Sequence, residues 1–338
     1  LTAGGDCPGL NAVIRAVVRR ALKDSGEVFG IKNGWRGLID KEVELLTRER
    51  VAGILPRGGT ILGTSRINPF DHPEYVARIF DTWHLYRLDA LVVVGGDGSL
   101  RTARDMWRAH SMPLVGVPKT IDNDVGGTDF TFGFDTAVNI VTEAVDRLHS
   151  TAESHHRVIV VEVMGRHTGW IAAYGGIAGG ADVILVPEHP FRLSHVCDLI
   201  KHRAEQGRPF SLIVVSEFAH PRPEENFINE AEAAEIYRQG HFGGIGNVLA
   251  REVAQRTGIQ TRVTKLGYVQ RGGTPSAFDR VLATRFGVKA FEMILAGEWG
   301  RMAALQGNRM VSVPLDQALS EIKRLDEEFY HVAETFFG

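Results

Sequence analysis

Long apolar runs, cysteine and blocks of like charge are what this 338-residue chain has least of. No stretch approaches the roughly 18 consecutive apolar residues of a membrane-spanning helix, and no charged-then-apolar leader opens it. Cysteine occurs twice, at Cys7 and Cys197, which excludes a disulfide framework and suits a reducing, cytoplasmic setting. Lys and Arg number 38 against 41 Asp and Glu, with no basic tail or block, so nothing points to a nucleic-acid or membrane partner. Any cationic site must be assembled locally by folding. The Walker pattern GxxxxGK(S/T) is missing, and so is a complete GxGxxG, which argues against a P-loop and a dinucleotide fold.

What is present reads as a soluble α/β protein. A hydrophobic share of 44% suits a globular chain, and the length favours two domains over one core. Continuous apolar runs at Leu91–Val94, Leu114–Val117, Val158–Val163, Val183–Val186 and Leu212–Val215 predict strands covered on both faces of mostly parallel sheets. Helical patterns fall between them, at Gly9–Leu22, Ser99–Arg108, Thr136–His149 and His195–Gln206, and the tail from Gln317 to Phe337 also reads as helix. Phe218–Gly246 is polar and reads as an exposed excursion carrying one helix. Leu1-Thr2-Ala3 reads as the end of a strand that begins upstream.

Two apolar strands run into Gly-Gly-Asp, at Gly4–Asp6 and Gly95–Asp97. A strand, a glycine turn and a helix present free backbone N–H groups and a positive helix end at one spot, where an anion is stabilised. Glycine lets the backbone approach a phosphate, and Asp97 offers a carboxylate for Mg²⁺. Ser99 is placed to cap the helix that follows. One such turn alone is as readily an ordinary βα connection; two at strand ends make the phosphate reading stronger. Pro118-Lys119-Thr120-Ile121-Asp122-Asn123-Asp124 follows a third strand, and its paired carboxylates suit proton abstraction from a hydroxyl, with an Asx-rich turn as the plainer alternative.

These residues, with Gly58–Arg66, Glu162–Arg166 and Gln270–Gly273, resemble the linked motifs of bacterial 6-phosphofructokinases, in order and at similar spacing over residues 1 to about 300. The likeness is to the ATP-dependent type, close to the subgroup that mixes ATP and pyrophosphate users. It implies two Rossmann-like three-layer domains. Residues 1–133 and 270–317 would bind nucleotide, and 134–269 with 318–338 the sugar phosphate. Gly5, Arg66, Gly96, Gly98 and Ser99 would hold ATP, and Asp97 its Mg²⁺. Asp122 would be the base, with Thr120, Asp124 and Arg166 beside it in the catalytic set. Met164, Gly165, Arg166, Glu217, Tyr268 and Arg271, together with Thr120 and Asp122, would take fructose 6-phosphate. Arg157 and Arg262 resemble arginines that reach the sugar phosphate from a neighbouring subunit, implying a homotetramer. Tyr268 departs from the usual His and cannot become cationic there. Arg15, Arg48 and Arg208 are cations that an effector site would draw on, while His149 and Gln206 stand where relatives commonly carry cations.

The donor signals conflict. In the family Gly at position 98 accompanies ATP, whereas Lys at position 119 accompanies pyrophosphate. A carboxylate at 98 would face the nucleotide's α-phosphate, and like charges ~4 Å apart at an effective dielectric near 20 repel by about 4 kcal/mol. Lys119 obstructs nothing, so the sequence favours ATP. The alternatives are a pyrophosphate-dependent enzyme and an inactive metabolite-sensing subunit; retention of Asp97 and Asp122 opposes the latter.

Overall fold

The computed structural model describes residues 1–225, 227–236 and 244–338. The chain forms two compact units. The first comprises Leu1–Thr136 and Arg271–Ile322, the second Ala137–Gln270 and Lys323–Gly338. Strands β1 (Thr2–Ala3), β2 (Phe29–Ile31), β3 (Val43–Leu45), β4 (Leu91–Gly95) and β5 (Leu114–Pro118) belong to the first unit. β6 (Val158–Val163), β7 (Val183–Leu185), β8 (Ser211–Ser216) and β9 (Thr261–Lys265) belong to the second; β10 (Arg301–Gln306) and β11 (Arg309–Pro314) return to the first.

The first unit is built on the sheet β1-β4-β5-β10-β11, parallel except for the β10–β11 hairpin. Its core joins Val93 and Leu114 from the strands to Leu100 and Met106 from helix Asp97–His110, and to Trp35, Leu38 and Ile79. The second unit carries the all-parallel sheet β7-β8-β6-β9. β6 and β8 are buried at every position, which is why they read as unbroken apolar runs. The α/β class with mostly parallel sheets is as the sequence implies.

The tail departs from expectation. Instead of one helix it forms Leu315–Ala318 and Glu327–Glu334 with extended chain between them. Ile322 bridges to Val125 in the first unit, while in the second the Leu325 amide donates to Glu188 and the Asp326 side chain caps the last helix through the Glu328 amide. The long-range contacts of Ile322 with Val125 and of the Leu325 amide with Glu188 outweigh the local helical pattern. In the polar excursion the helix is Glu230–Ile236; residues 226 and 237–243 lie outside the described residues.

Two helix starts in the first unit are tied together. Ser276 caps helix Ala277–Leu295 by accepting from the Asp279 amide, and the buried Asp279 carboxylate accepts from the backbone N–H and the hydroxyl of Thr136, near the start of helix Phe134–His155. Burial lifts the Asp279 carboxyl to about 6, against the opposing hydrogen bonds from Thr136, with the nearby charge of Asp135 adding a smaller upward push. A carboxyl raised in the folded state contributes stability that is present below the ordinary carboxylate range and is lost as pH rises through 6. Asp279→Asn keeps an acceptor for Thr136 but removes the titration. The stability advantage of the wild type over the variant is therefore expected to grow between pH 7 and pH 5 in urea unfolding; a difference that stays constant with pH contradicts this.

Candidate active site

Parallel register places three turns of the first unit at one sheet edge. Ala3 pairs with Gly95, and Gly95 with Pro118, so the chain leaves β1, β4 and β5 at the same level. This carboxyl edge is where open α/β sheets bind ligands.

The first turn is held from several sides. The Gly4 amide donates to the Ser65 carbonyl at 3.1 Å and the Thr64 hydroxyl to the Gly4 carbonyl at 2.7 Å, so the 58–66 motif backs the turn. Lys119 Nζ donates to the Gly5 carbonyl, and Arg271 Nη1 to the Asp6 carbonyl at 3.3 Å. A Cβ on Gly5 would lie 2.9 Å from that same Nη1. Arg66, the last residue of the segment, is exposed. Lys119 is 3% exposed, and burial lowers its pKa. It is therefore a tether between β5 and the first turn as well as a cation.

The second turn begins helix Asp97–His110, which starts two residues earlier than expected, with Gly96 at the cap position and no side-chain cap. Ser99 thus does not cap. It sits inside the first helical turn, and its hydroxyl lies where a Cβ on Gly4 would meet it at 3.0 Å. Gly96 is half-buried and Gly98 exposed. A Cβ added at Gly98 meets nothing within 4 Å, so no packing contact requires glycine there. The Asp97 carboxylate accepts from Arg101 Nε at 2.8 Å.

The third turn carries the paired carboxylates. The Asp122 amide donates to the Thr120 hydroxyl at 3.0 Å. Between the two acids, Asn123 is buried and takes a left-handed conformation at φ 51°, which Asn tolerates better than most residues. Its Oδ1 accepts from the Thr131 amide at 3.1 Å, and the Thr131 hydroxyl donates to the Thr120 carbonyl at 2.8 Å. Burial, then the charge of Asp122, pushes the Asp124 carboxyl well above the usual carboxylate range. Asp124 Oδ1 is buried without a hydrogen-bond partner among the described residues.

The acidic groups fit Mg²⁺. No group of three or more His, Cys, Asp or Glu side chains able to hold a metal occurs among the described residues. Mg²⁺ ordinarily takes one or two protein carboxylates and completes its shell with phosphates and water. Asp97 supplies a hard oxygen donor, and the orphaned Asp124 oxygen is a buried acceptor without a partner among the described residues that a nearby divalent cation would satisfy.

The second unit holds another set. Met164 and Gly165 follow β6 and are buried, and the Gly165 carbonyl accepts from the Ser216 hydroxyl at 2.6 Å. Gln270, fully buried, accepts from the Met164 amide at 3.2 Å and donates to the Gly267 carbonyl at 3.0 Å. Arg166 is exposed, its guanidinium 5.6 Å above the Phe218 ring; Glu217 is buried, and its amide donates to the Val163 carbonyl. Tyr268 is exposed. Arg157 and Arg262 are not with this set. Arg157 precedes β6 and donates to Gln260, while Arg262 pairs in register with Ile159, so both mark the amino end of the sheet. The six residues of β6 put roughly 20 Å between them and Met164–Glu217. Arg271 belongs to the first unit, over the Gly5–Asp6 turn.

Glycine turns on a shared sheet edge beside paired carboxylates suit the binding of a phosphoryl donor. A family model described as Phosphofructokinase matches residues 1–294, and the chain belongs to the phosphofructokinase family. It is 49% identical to a pyrophosphate–fructose 6-phosphate 1-phosphotransferase of Streptomyces coelicolor, over 100% of this chain and 98% of that one. It is 48% identical to an ATP-dependent 6-phosphofructokinase of Corynebacterium efficiens, with the same coverage. Among solved structures it resembles Pichia pastoris phosphofructokinase in the T-state, with a TM-score of 0.79 and 34% identity, over 99% of this chain and 36% of that one. The chain thus spans about a third of the length of that yeast chain.

Asn123 and Gln270, which the sequence places inside their motifs without a role of their own, organise these sets through long-range hydrogen bonds. Replacing Asn123 by Ala leaves the buried Thr131 amide unpaired, a cost of about 1–3 kcal/mol, and burdens a left-handed position. Asn123→Ala is expected to lower the melting temperature and reduce turnover together, whereas Asn123→Asp, which keeps the acceptor, loses less of both. Equal losses in the two variants would contradict the role given to Oδ1.

Proposed function

We propose that the chain is a 6-phosphofructokinase that transfers the γ-phosphoryl group of MgATP to the 1-hydroxyl of fructose 6-phosphate, giving fructose 1,6-bisphosphate and ADP. The observation that carries the donor assignment is the open space at Gly98. A helical glycine with no packing reason to lack a side chain is explained by what must pass over it, and a nucleotide's phosphate chain requires that room. The rival signal loses force because Lys119 is buried and bonded to the Gly5 carbonyl, in a role indifferent to what lies beyond the transferred phosphoryl group.

In this reading Gly5, Arg66, Gly96, Gly98 and Ser99 line the donor's path, with unpaired amides at the start of helix Asp97–His110 turned to phosphate. Asp97 would hold Mg²⁺, which would supply positive charge to offset that on the transferring oxygens. Asp122 accepts the proton of the sugar hydroxyl, steadied by Thr120 and by the Asn123–Thr131 staple. Asp124, shifted toward its neutral form, limits charge repulsion beside it. Met164, Gly165, Arg166, Glu217 and Tyr268 receive fructose 6-phosphate, the Arg166 guanidinium pairing with its phosphate through its planar fork. The distance of Arg157 and Arg262 from Met164–Glu217 within one unit supports their serving a neighbouring subunit of a homotetramer. No helix among the described residues is long and apolar enough to cross a membrane; with the two unpaired cysteines this supports a cytoplasmic setting.

Initial rates with fructose 6-phosphate and either MgATP or Mg-pyrophosphate test the assignment directly. Turnover with pyrophosphate but not ATP would transfer the chain to the other donor class. Gly98→Asp is expected to raise the KM for MgATP far more than that for fructose 6-phosphate, with an unchanged melting temperature because the position is open; parallel losses in both KM values defeat the argument. Asp122→Ala should keep sugar-phosphate binding and cut kcat by about 10²–10⁴-fold, the scale of a lost general base.

A further inference from the structure

Helix Asp97–His110 places a cation, Arg101, just beyond its first turn, at the end where partial positive charge collects and Lys or Arg is disfavoured. Long helical side chains lean toward the amino terminus, so a residue at 101 covers positions 97 and 98. Arg101 does reach back, with Nε 2.8 Å from Asp97 Oδ2. Its two Nη groups have no partner among the described residues, and its side chain is 37% exposed. Three residues back along the same face lies Gly98, over which a side chain would meet only open space. A surface ion pair one turn apart adds little to a helix, and it does not explain why a guanidinium fork is left unpaired beside a position that needs no glycine for packing.

We propose that Arg101 is a donor-binding residue. With Nε on Asp97, its Nη pair takes a phosphate oxygen of the polyphosphate donor above the side-chain-free position 98. This rests on the phosphoryl-transfer reading above and extends it by one specificity-determining side chain. A planar fork suits the task because it grips a phosphate while the same guanidinium keeps its bond to a carboxylate. The arrangement also reconciles a cation with a positive helix end: Asp97 offsets it in the free protein, and an anionic donor offsets it further when bound. Since position 98 faces the α-phosphate of a nucleotide, the contact serves MgATP more than Mg-pyrophosphate and acts in the same direction as Gly98.

The test compares the wild-type full chain with Arg101→Gln and Arg101→Lys. Calorimetric titration with magnesium tripolyphosphate, without sugar, reads donor-side binding alone. Steady-state kinetics read the KM for MgATP, Mg-pyrophosphate and fructose 6-phosphate separately. Arg101→Gln is expected to weaken tripolyphosphate binding and raise the KM for MgATP by about tenfold, with the fructose 6-phosphate KM held within about twofold. Arg101→Lys keeps the charge without the fork and should recover part of the loss. Unaltered tripolyphosphate affinity and donor KM in Arg101→Gln overturn the proposal, as does a wild-type chain that binds no tripolyphosphate, or an effect confined to the sugar KM. A wild type that binds tripolyphosphate but phosphorylates no sugar defeats the functional reading instead, and the binding comparison still decides the role of Arg101.

Discussion

The pairing of Ala3 with Gly95 and of Gly95 with Pro118 is the constraint on which the candidate site of the first unit depends. Parallel strands that end at one level bring three separate loops to a single edge without any contact between the loops having to be strong. A one-residue slip in either pairing would exchange the faces of a whole strand and move its turn off that edge. The burial of Val93, Val94, Leu114 and Val115 resists such a slip, so hydrophobic packing below the edge fixes the geometry of polar chemistry above it.

On that edge the first glycine turn acts as the common point. Lys119 and Arg271 each donate to one of its carbonyls, and the 58–66 segment donates to and accepts from its backbone at Gly4. Gly5 is small because Arg271 passes directly over it. Lys119 is desolvated, and the carbonyl offsets part of that cost; losing the bond would leave a buried ammonium with an unmet donor. Motifs more than 50 residues apart in sequence are therefore structurally interdependent, which accounts for their joint presence better than separate ligand contacts would.

Much of this was legible beforehand. Strands buried on both faces announce themselves as continuous apolar runs, and β6 agrees with its expected bounds residue for residue. The glycine turns were readable because Gly-Gly-Asp follows an apolar strand twice, at Gly4–Asp6 and Gly95–Asp97, and the repetition carries what one copy would not. Three things were not legible. Ser99 looked like a cap because hydroxyls favour that position, but β4 hands over to the helix directly at Gly96, leaving Ser99 inside the first turn. The tail looked helical because local periodicity is blind to the Val125–Ile322 bridge and to the Glu188 carboxylate awaiting the Leu325 amide. Asn123 and Gln270 act through long-range bonds to Thr131 and Met164, which no local pattern announces.

The question of donor shows where overall similarity stops being informative. Relatives of 49% and 48% identity carry names with different phosphoryl donors, so resemblance across the whole chain does not separate them. Physical reasoning must then rest on positions whose chemistry differs between a short donor and a long one. Lys119 does not qualify, since it is buried and spends its ammonium on the first turn. Gly98 qualifies, because the space above it lies clear of protein and adding a carboxylate would fill that space with charge of the donor's own sign. An exclusion operates only on the donor that needs the room, whereas an attraction operates on both; that asymmetry, rather than any count of shared residues, is what favours the nucleotide.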